Sequence, residues 1–325
     1  MAPRRRKRYR YRLRRLTPIG VAIVAAGLSG AWVGAHQSST PIASAAAPRP
    51  HVRPPRTHPK KHAAPVKPER LLFTESILAH TFTPRLLTPS AIVVDETTGR
   101  VLWQLHPHER RHIASTTKIM TALLAMKKLK PHDIVTVDRS VPRVPLVREG
   151  LRAGEHVQAW KLFYSLLLFS GNDDALALAI AADGDKWTFI RSMNAEAKLL
   201  GMHDTHYSTP SGVKDADNYS SAWDLAALTR VAMRNPRFRQ IVRTRLEHVK
   251  WAAPTYAKIY VNNNRLLSSY PGANGVKTGY THKSGPCLVA SATRNGVSLI
   301  AVVLDSPDMY TDAKRLLDFG FASLS

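Results

Sequence analysis

The chain has 325 residues, 44% hydrophobic and 22% charged, with a formal net charge of +24 at pH 7. That length and apolar content support a sizeable core and exclude a wholly disordered chain. A single cysteine excludes an intramolecular disulfide framework, and the positive excess points to polyanionic partners, of which nucleic acid is only one kind.

The charge is concentrated at one end: residues 1–70 hold 16 lysines and arginines against one acid, Glu69. Residues 4–15 form a dense cationic run, and residues 18–35 follow without any charge. This is the n-region and h-region of an export signal, with Ala43-Ser44-Ala45-Ala46-Ala47 supplying cleavage sites. The apolar stretch is also just long enough to span a bilayer, so residues 1–47 read as a cleaved signal peptide or an N-terminal membrane anchor. Either way the positive-inside rule keeps the cationic run cytoplasmic and exports the rest. Export removes nucleic acid from the partners and leaves anionic wall polymers or a membrane surface. Residues 48–70 are rich in Pro, His, Lys and Arg. They cannot bury a core and read as an extended basic linker.

A single folded domain is expected over residues 71–325. Residues 91–95 and 101–104 flank the turn Glu96-Thr97-Thr98-Gly99-Arg100 and predict a β-hairpin. From Ser115 to about Leu129 the pattern is helical, with Ile119, Met120, Leu123, Leu124 and Met126 on one broad apolar face. Residues 132–157 read as irregular, with Pro142 and Pro145. Helices are predicted over 159–169, 173–182, 186–200 and 222–234. Strands follow at 275–280, 287–293 and 297–304, then a helix at 310–319. Cys287, in the apolar run Cys287-Leu288-Val289-Ala290, reads as a buried strand position and not a reactive thiol. Strands at both ends with helices between predict an α/β domain of the α+β type. It has a mainly antiparallel sheet flanked by helices, with a helical insertion.

Three short motifs occur in order: Ser115-Thr116-Thr117-Lys118, Ser170-Gly171-Asn172 and Lys277-Thr278-Gly279. Residues i and i+3 share a helix face, so the Lys118 amine can reach the Ser115 hydroxyl. A lysine kept neutral by burial can then act as general base to a serine nucleophile. Ser170 and Asn172 fall at a break between helical patterns, suited to relaying a proton and holding Lys118. Lys277 and Thr278, on a strand, suit a terminal carboxylate. Gly279 permits close approach of a substrate backbone, and the Tyr280 N–H would complete an oxyanion hole with that of Ser115. Singly, each motif is common by chance; Ser170-Gly171-Asn172 alone reads as a helix connector. A rival match, Lys283-Ser284-Gly285, is set aside because residues 281–286 have turn composition and Pro286 is expected to interrupt strand pairing.

The ordered set, together with Asn262-Asn263-Asn264-Arg265-Leu266-Leu267 and Leu288-Val289-Ala290-Ser291-Ala292-Thr293-Arg294, resembles the serine-type D-Ala-D-Ala carboxypeptidases. These are low-molecular-mass penicillin-binding proteins, and the likeness covers about residues 85–325. It implies the penicillin-recognising serine hydrolase fold, shared with β-lactamases. It also implies peptidoglycan stem peptides as substrates, β-lactam antibiotics as covalent inhibitors, no cofactor, and a bacterial extracytoplasmic location. By the same resemblance Ser115 is the nucleophile and Lys118 its base. Ser170 and Asn172 form the second element, and Lys277 and Thr278 hold the terminal carboxylate. Phe169 and Asn274 depart from the family's usual proline and aspartate. The chain ends soon after Phe319, so membrane attachment is expected at the N-terminus only. Three alternatives share these parts. A D,D-endopeptidase uses the same groups, and a β-lactamase needs a glutamate after the second motif to position water; Glu149 and Glu155 lie before that motif, and Glu196 lies after it but on a regular helical pattern. A non-catalytic wall-binding protein would use the cleft alone.

Overall fold

The predicted hairpin opens the fold as β1 (Ser90–Asp95) and β2 (Val101–Leu105). The computed structural model describes residues 83–324, except 146, 214–216 and 252–255. The expected signal or anchor (1–47), the linker (48–70) and the expected domain start at Leu71 lie outside the described residues.

β3 (Arg111–His112) leads into a 3-10 turn, Ala114–Thr117, and then α1 (Lys118–Lys128). The segment expected to be irregular contains β4 (Ile134–Thr136) and β5 (His156–Gln158), an antiparallel pair bracketing a 3-10 turn at Val141–Arg143. Each strand buries only its central valine, Val135 or Val157. That is too little alternation to stand out in the sequence. The helix expected over 159–169 is α2 (Ala159–Tyr164), continued by a π-helical turn over Ser165–Phe169. Then come α3 (Asn172–Asp183), α4 (Lys186–Leu199), β6 (Tyr219–Ser220) and α5 (Ala222–Arg234). Past these lie α6 (Pro236–Val242), the hairpin β7 (Leu246–Val249) with β8 (Lys258–Val261), and α7 (Leu266–Ser269). The chain returns to the main sheet with β9 (Ala273–Thr281), β10 (Gly285–Arg294) and β11 (Val297–Leu304) before α8 (Met309–Ala322).

The main sheet is antiparallel, in the order β2-β1-β11-β10-β9. Both its faces are covered, which is why β1, β10 and β11 read as nearly unbroken apolar runs. Ala91, Val93, Leu288, Ala290 and Val303 pack with Ala313, Leu316 and Leu317 of α8 on one face. Ile92, Cys287, Val289, Ile300 and Val302 join the large cluster with α1, α3 and α5 on the other. Cys287 is fully buried in β10, and burial pushes its thiol up to about 11. No helix among the described residues is long and apolar enough to cross a membrane.

β9 is the edge strand beside the Ala114–Thr117 turn. Pro286 does not interrupt its pairing, contrary to expectation. It stands in β10 opposite Tyr280, and its carbonyl accepts from Ser306 N (2.9 Å) on the β11 side. Tyr280 and Pro286 are therefore a non-hydrogen-bonded pair, where a missing N–H costs the β9–β10 ladder nothing. The same register turns the Tyr280 N–H toward the free edge of β9.

Candidate active site

The helix begins at Lys118, three residues later than expected, and Ser115 lies in the preceding 3-10 turn. That turn is held tightly. Thr116 returns both its N–H (3.1 Å) and its hydroxyl (2.7 Å) to Ile113 O, and Ala114 takes a left-handed φ of 45°. Such a conformation is rare for a residue with a Cβ and clusters at functional sites. Its consequence here is a partly exposed Ser115 above a fully buried Lys118.

Lys118 Nζ has three oxygen neighbours: Ser115 Oγ at 2.9 Å, Asn172 Oδ1 at 2.8 Å and Ser211 O at 3.1 Å. Burial first, and the nearby Lys277 charge second, push its ammonium well below the usual lysine range, while Asp174 and Asp173 pull the other way. A neutral amine next to a serine hydroxyl is the electronic condition for proton abstraction.

The π-helical turn delivers the second motif. Ser170 N bonds back to Ser165 O (2.8 Å), and Ser170 adopts φ 75°. This reversal lets α3 start at Asn172, whose side chain spans Lys118 and Pro145 O (3.1 Å). Its own N–H donates to Val147 O (2.8 Å). Ser170 Oγ is buried and has no protein partner.

β9 forms the opposite wall. Lys277 and Gly279 pair with Val289 and Cys287, so they sit on the sheet face that carries α1 and α3. Lys277 is buried, and desolvation brings its ammonium down to about 7; its Nζ donates to Thr278 O at 3.1 Å. Thr278 is half-buried and Tyr280 exposed. A Cβ at Gly279 would stand 2.9 Å from Ile113 O and 3.1 Å from Ser115 N, so only glycine lets β9 run this close to the serine turn. The Ser115 amide thus lies beside Gly279, and the next N–H along β9, that of Tyr280, turns to the free edge.

Of the eight predicted residues, Ser115, Lys118 and Asn172 are in direct contact, Lys277 is close enough to act on the Lys118 charge, and Gly279 runs against the serine turn, while the side chains of Ser170, Thr278 and Tyr280 make no hydrogen bond to that group. Several partners join them that the motifs did not indicate. Ser211 supplies a backbone carbonyl, which no side-chain pattern reveals. Asn218 fixes that loop by accepting from Ser208 N (2.9 Å) and Thr209 N (2.9 Å) and donating to Thr117 Oγ1 (3.2 Å). Glu149, side chain almost fully buried, is ion-paired with Lys258 and accepts from Ser165 Oγ (3.0 Å). Glu196 pairs with Lys127 at 2.6 Å. Among the described residues no group of three or more His, Cys, Asp or Glu side chains is placed to hold a metal ion.

Comparison with known proteins matches residues 79–308 to a family model described as D-alanyl-D-alanine carboxypeptidase. The D-alanyl-D-alanine carboxypeptidase DacF of Bacillus subtilis is 33% identical over 242 residues, 72% of this chain and 62% of that protein. The D-alanyl-D-alanine carboxypeptidase of Streptomyces sp. K15 is 34% identical over 263 residues, 74% of this chain and 89% of its own length. A D-alanyl-D-alanine endopeptidase of Escherichia coli is 33% identical over 239 residues, covering 72% and 77%. The crystal structure of the Streptomyces K15 DD-transpeptidase superposes with a TM-score of 0.71 at 33% identity, covering 74% of this chain and all of that one.

Proposed function

Because the chain belongs to the D-alanyl-D-alanine carboxypeptidase family, we propose that it removes the terminal D-alanine from peptidoglycan stem peptides through an acyl ester on Ser115. The observation that carries this reading is the buried Lys118 amine, 2.9 Å from the Ser115 hydroxyl and fixed by Asn172.

Neutral Lys118 takes the Ser115 proton as Oγ attacks the penultimate D-alanine carbonyl. The developing oxyanion meets the N–H groups of Ser115 and Tyr280, donors already fixed before reaction. Lys277 and Thr278 receive the terminal carboxylate, and charged Lys277 is the electrostatic anchor. The unpartnered Ser170 hydroxyl carries the proton from Lys118 to the departing amine, and D-alanine leaves. Water then attacks the ester by the same base and restores Ser115. A β-lactam, with its carboxylate and strained amide, enters the same steps and stays as the ester.

A β-lactamase reading is disfavoured by the positions of Glu149 and Glu196. Glu149 is committed to Lys258 and Ser165, and Glu196 to Lys127, so neither is free to position a deacylating water. Endopeptidase action on cross-linked stems uses the same groups. An exported, extracytoplasmic site of action, with residues 1–70 contacting anionic wall polymers or a membrane surface, accords with the charge pattern of the sequence.

The test is D-alanine release from a pentapeptide ending in D-Ala-D-Ala, with penicillin labelling, for the parent and Ser115→Ala. Release and labelling by the parent, both abolished in the variant, are expected. Labelling retained by Ser115→Ala would overturn the assignment of the nucleophile. Release only from cross-linked dimers would replace carboxypeptidase by endopeptidase.

A further inference from the structure

Beneath the Ser170-Gly171-Asn172 turn lies a row of buried polar groups that the acyl-transfer steps do not use. Asp173 and Asp174 stand side by side at the start of α3, and their surroundings differ sharply. Asp173 accepts backbone N–H groups from Glu149 (2.7 Å), Gly150 (2.8 Å), Leu151 (3.1 Å) and Asp174 (3.2 Å). Such donors favour a carboxylate, although burial outweighs them and leaves Asp173 somewhat above its usual range. Asp174 accepts none of these. Its Oδ2 is 2.5 Å from Ser165 Oγ, and its Oδ1 has no partner although the side chain is fully buried.

The proton count is decisive. Ser165 Oγ also lies 3.0 Å from Glu149 Oε2, so one hydroxyl sits between two carboxyl groups. A hydroxyl has a single proton and can donate to only one of them; the other must donate to it. Glu149 is bound to the Lys258 ammonium, which also donates to Glu149 O (2.9 Å), and is the charged member. The second proton therefore belongs to Asp174. Its orphaned Oδ1 is then a neutral carbonyl oxygen, far less costly to bury than a charged one.

We propose that Asp174 is held as a neutral carboxylic acid, donating through Ser165 to the Glu149–Lys258 pair, and serves as a positioning residue for the second motif and for neutral Lys118. This rests on the acyl-transfer reading for what it says of Lys118. Contact carries the first role: a Cβ at Gly171 would stand 1.9 Å from Asp174 Oδ2, so the carboxyl braces the reversal that aims Ser170 and Asn172. Charge carries the second. Lys277 disfavours the Lys118 ammonium, whereas Asp173 and Asp174 favour it. A second full negative charge there would hold Lys118 protonated and remove the base. Burial, with the Asp173 charge adding, pushes the Asp174 carboxyl well above its usual range, and Tyr260 also faces it.

The test compares the full chain with Asp174→Asn, first by equilibrium unfolding against pH. An acid protonated when folded and ionised when unfolded makes stability fall as pH rises above the ordinary aspartate value of about 4. The folding equilibrium of Asp174→Asn should thus gain on the parent as pH rises above about 4, by up to about tenfold per pH unit. Parallel curves overturn the proposal. Second, the acylation rate at saturating penicillin should stay within about threefold of the parent at pH 7, and hold at higher pH wherever ionisation of Asp174 makes the parent decline. A loss of about 100-fold at pH 7 would mean that the ionised carboxylate is needed, and overturns it. If Asp174→Asn does not fold, the protonated-acid carbonyl stretch of isotope-labelled aspartate is compared in the parent and Ser165→Ala. A shifted band supports the proposal and an unchanged spectrum refutes it. Unfolding and infrared readouts need no turnover, so a parent that fails to release D-alanine counts against the function and not the proton count.

Discussion

Lys277 shows how much one side chain's solvation governs. A strand lysine ordinarily stays charged far above neutrality, but burial brings this one to about 7. A terminal carboxylate needs the charged form. In the free enzyme that form is complete below pH 7 and lost as pH rises through it. Since kcat/KM reports free-enzyme ionisations, it should fall about tenfold per pH unit above 7 for a D-Ala-D-Ala peptide. The methyl ester of the same peptide should lack that limb; the same decline for both would assign it elsewhere. At this scale the sequence was a good guide where spacing converts directly into contact. Ser115 and Lys118 are three residues apart and 2.9 Å apart in space. It was silent about the meeting of Ser165, Asp174 and Glu149, which come together only because the π-helical turn, the start of α3 and the segment holding Glu149 pack on one another.

Among the elements, the loop leading to Asn218 is the clamp on the serine turn. Asn218 ties Ser208 and Thr209 to Thr117, and Thr121 Oγ1 donates to Pro210 O (2.6 Å), which together hold the Ser211 carbonyl against Lys118. A Cβ at Gly212 would stand 1.9 Å from Ala114 O, so the clamp has no slack. Asn218→Ala strands several buried partners at once and should cost about 2–4 kcal/mol. Penicillin acylation should slow as well. Denaturant unfolding beside acylation kinetics checks both, and a loss under about 1 kcal/mol would show the loop is held by other means. Elements with buried, regular periodicity were legible: β1, β10, β11, α1, α5 and α8 all lie close to expectation. The β7–β8 hairpin was not, because its alternation is inverted. Leu246, Ile259 and Val261 face solvent while Val249 and Tyr260 turn inward, so the apolar residues mark the wrong face.

At the level of the molecule, charge and catalysis are written into different parts of the chain. Residues 1–70 hold 16 of the 47 lysines and arginines, and all eight site residues lie beyond them. Removing residues 1–70 should leave D-alanine release intact and greatly weaken salt-sensitive cosedimentation with an anionic polymer. Equal binding by both forms would place that contact on the folded domain. The fold class was readable because an antiparallel sheet covered on both faces leaves continuous apolar strands.

Cys287 sits in β10, between β9 and β11, with no exposed surface and a thiol at about 11. A sulfhydryl reagent cannot reach it until the sheet parts beside its edge strand β9. The lone sulfur is therefore a built-in clock: under native conditions its rate of modification measures how often the sheet opens around β10.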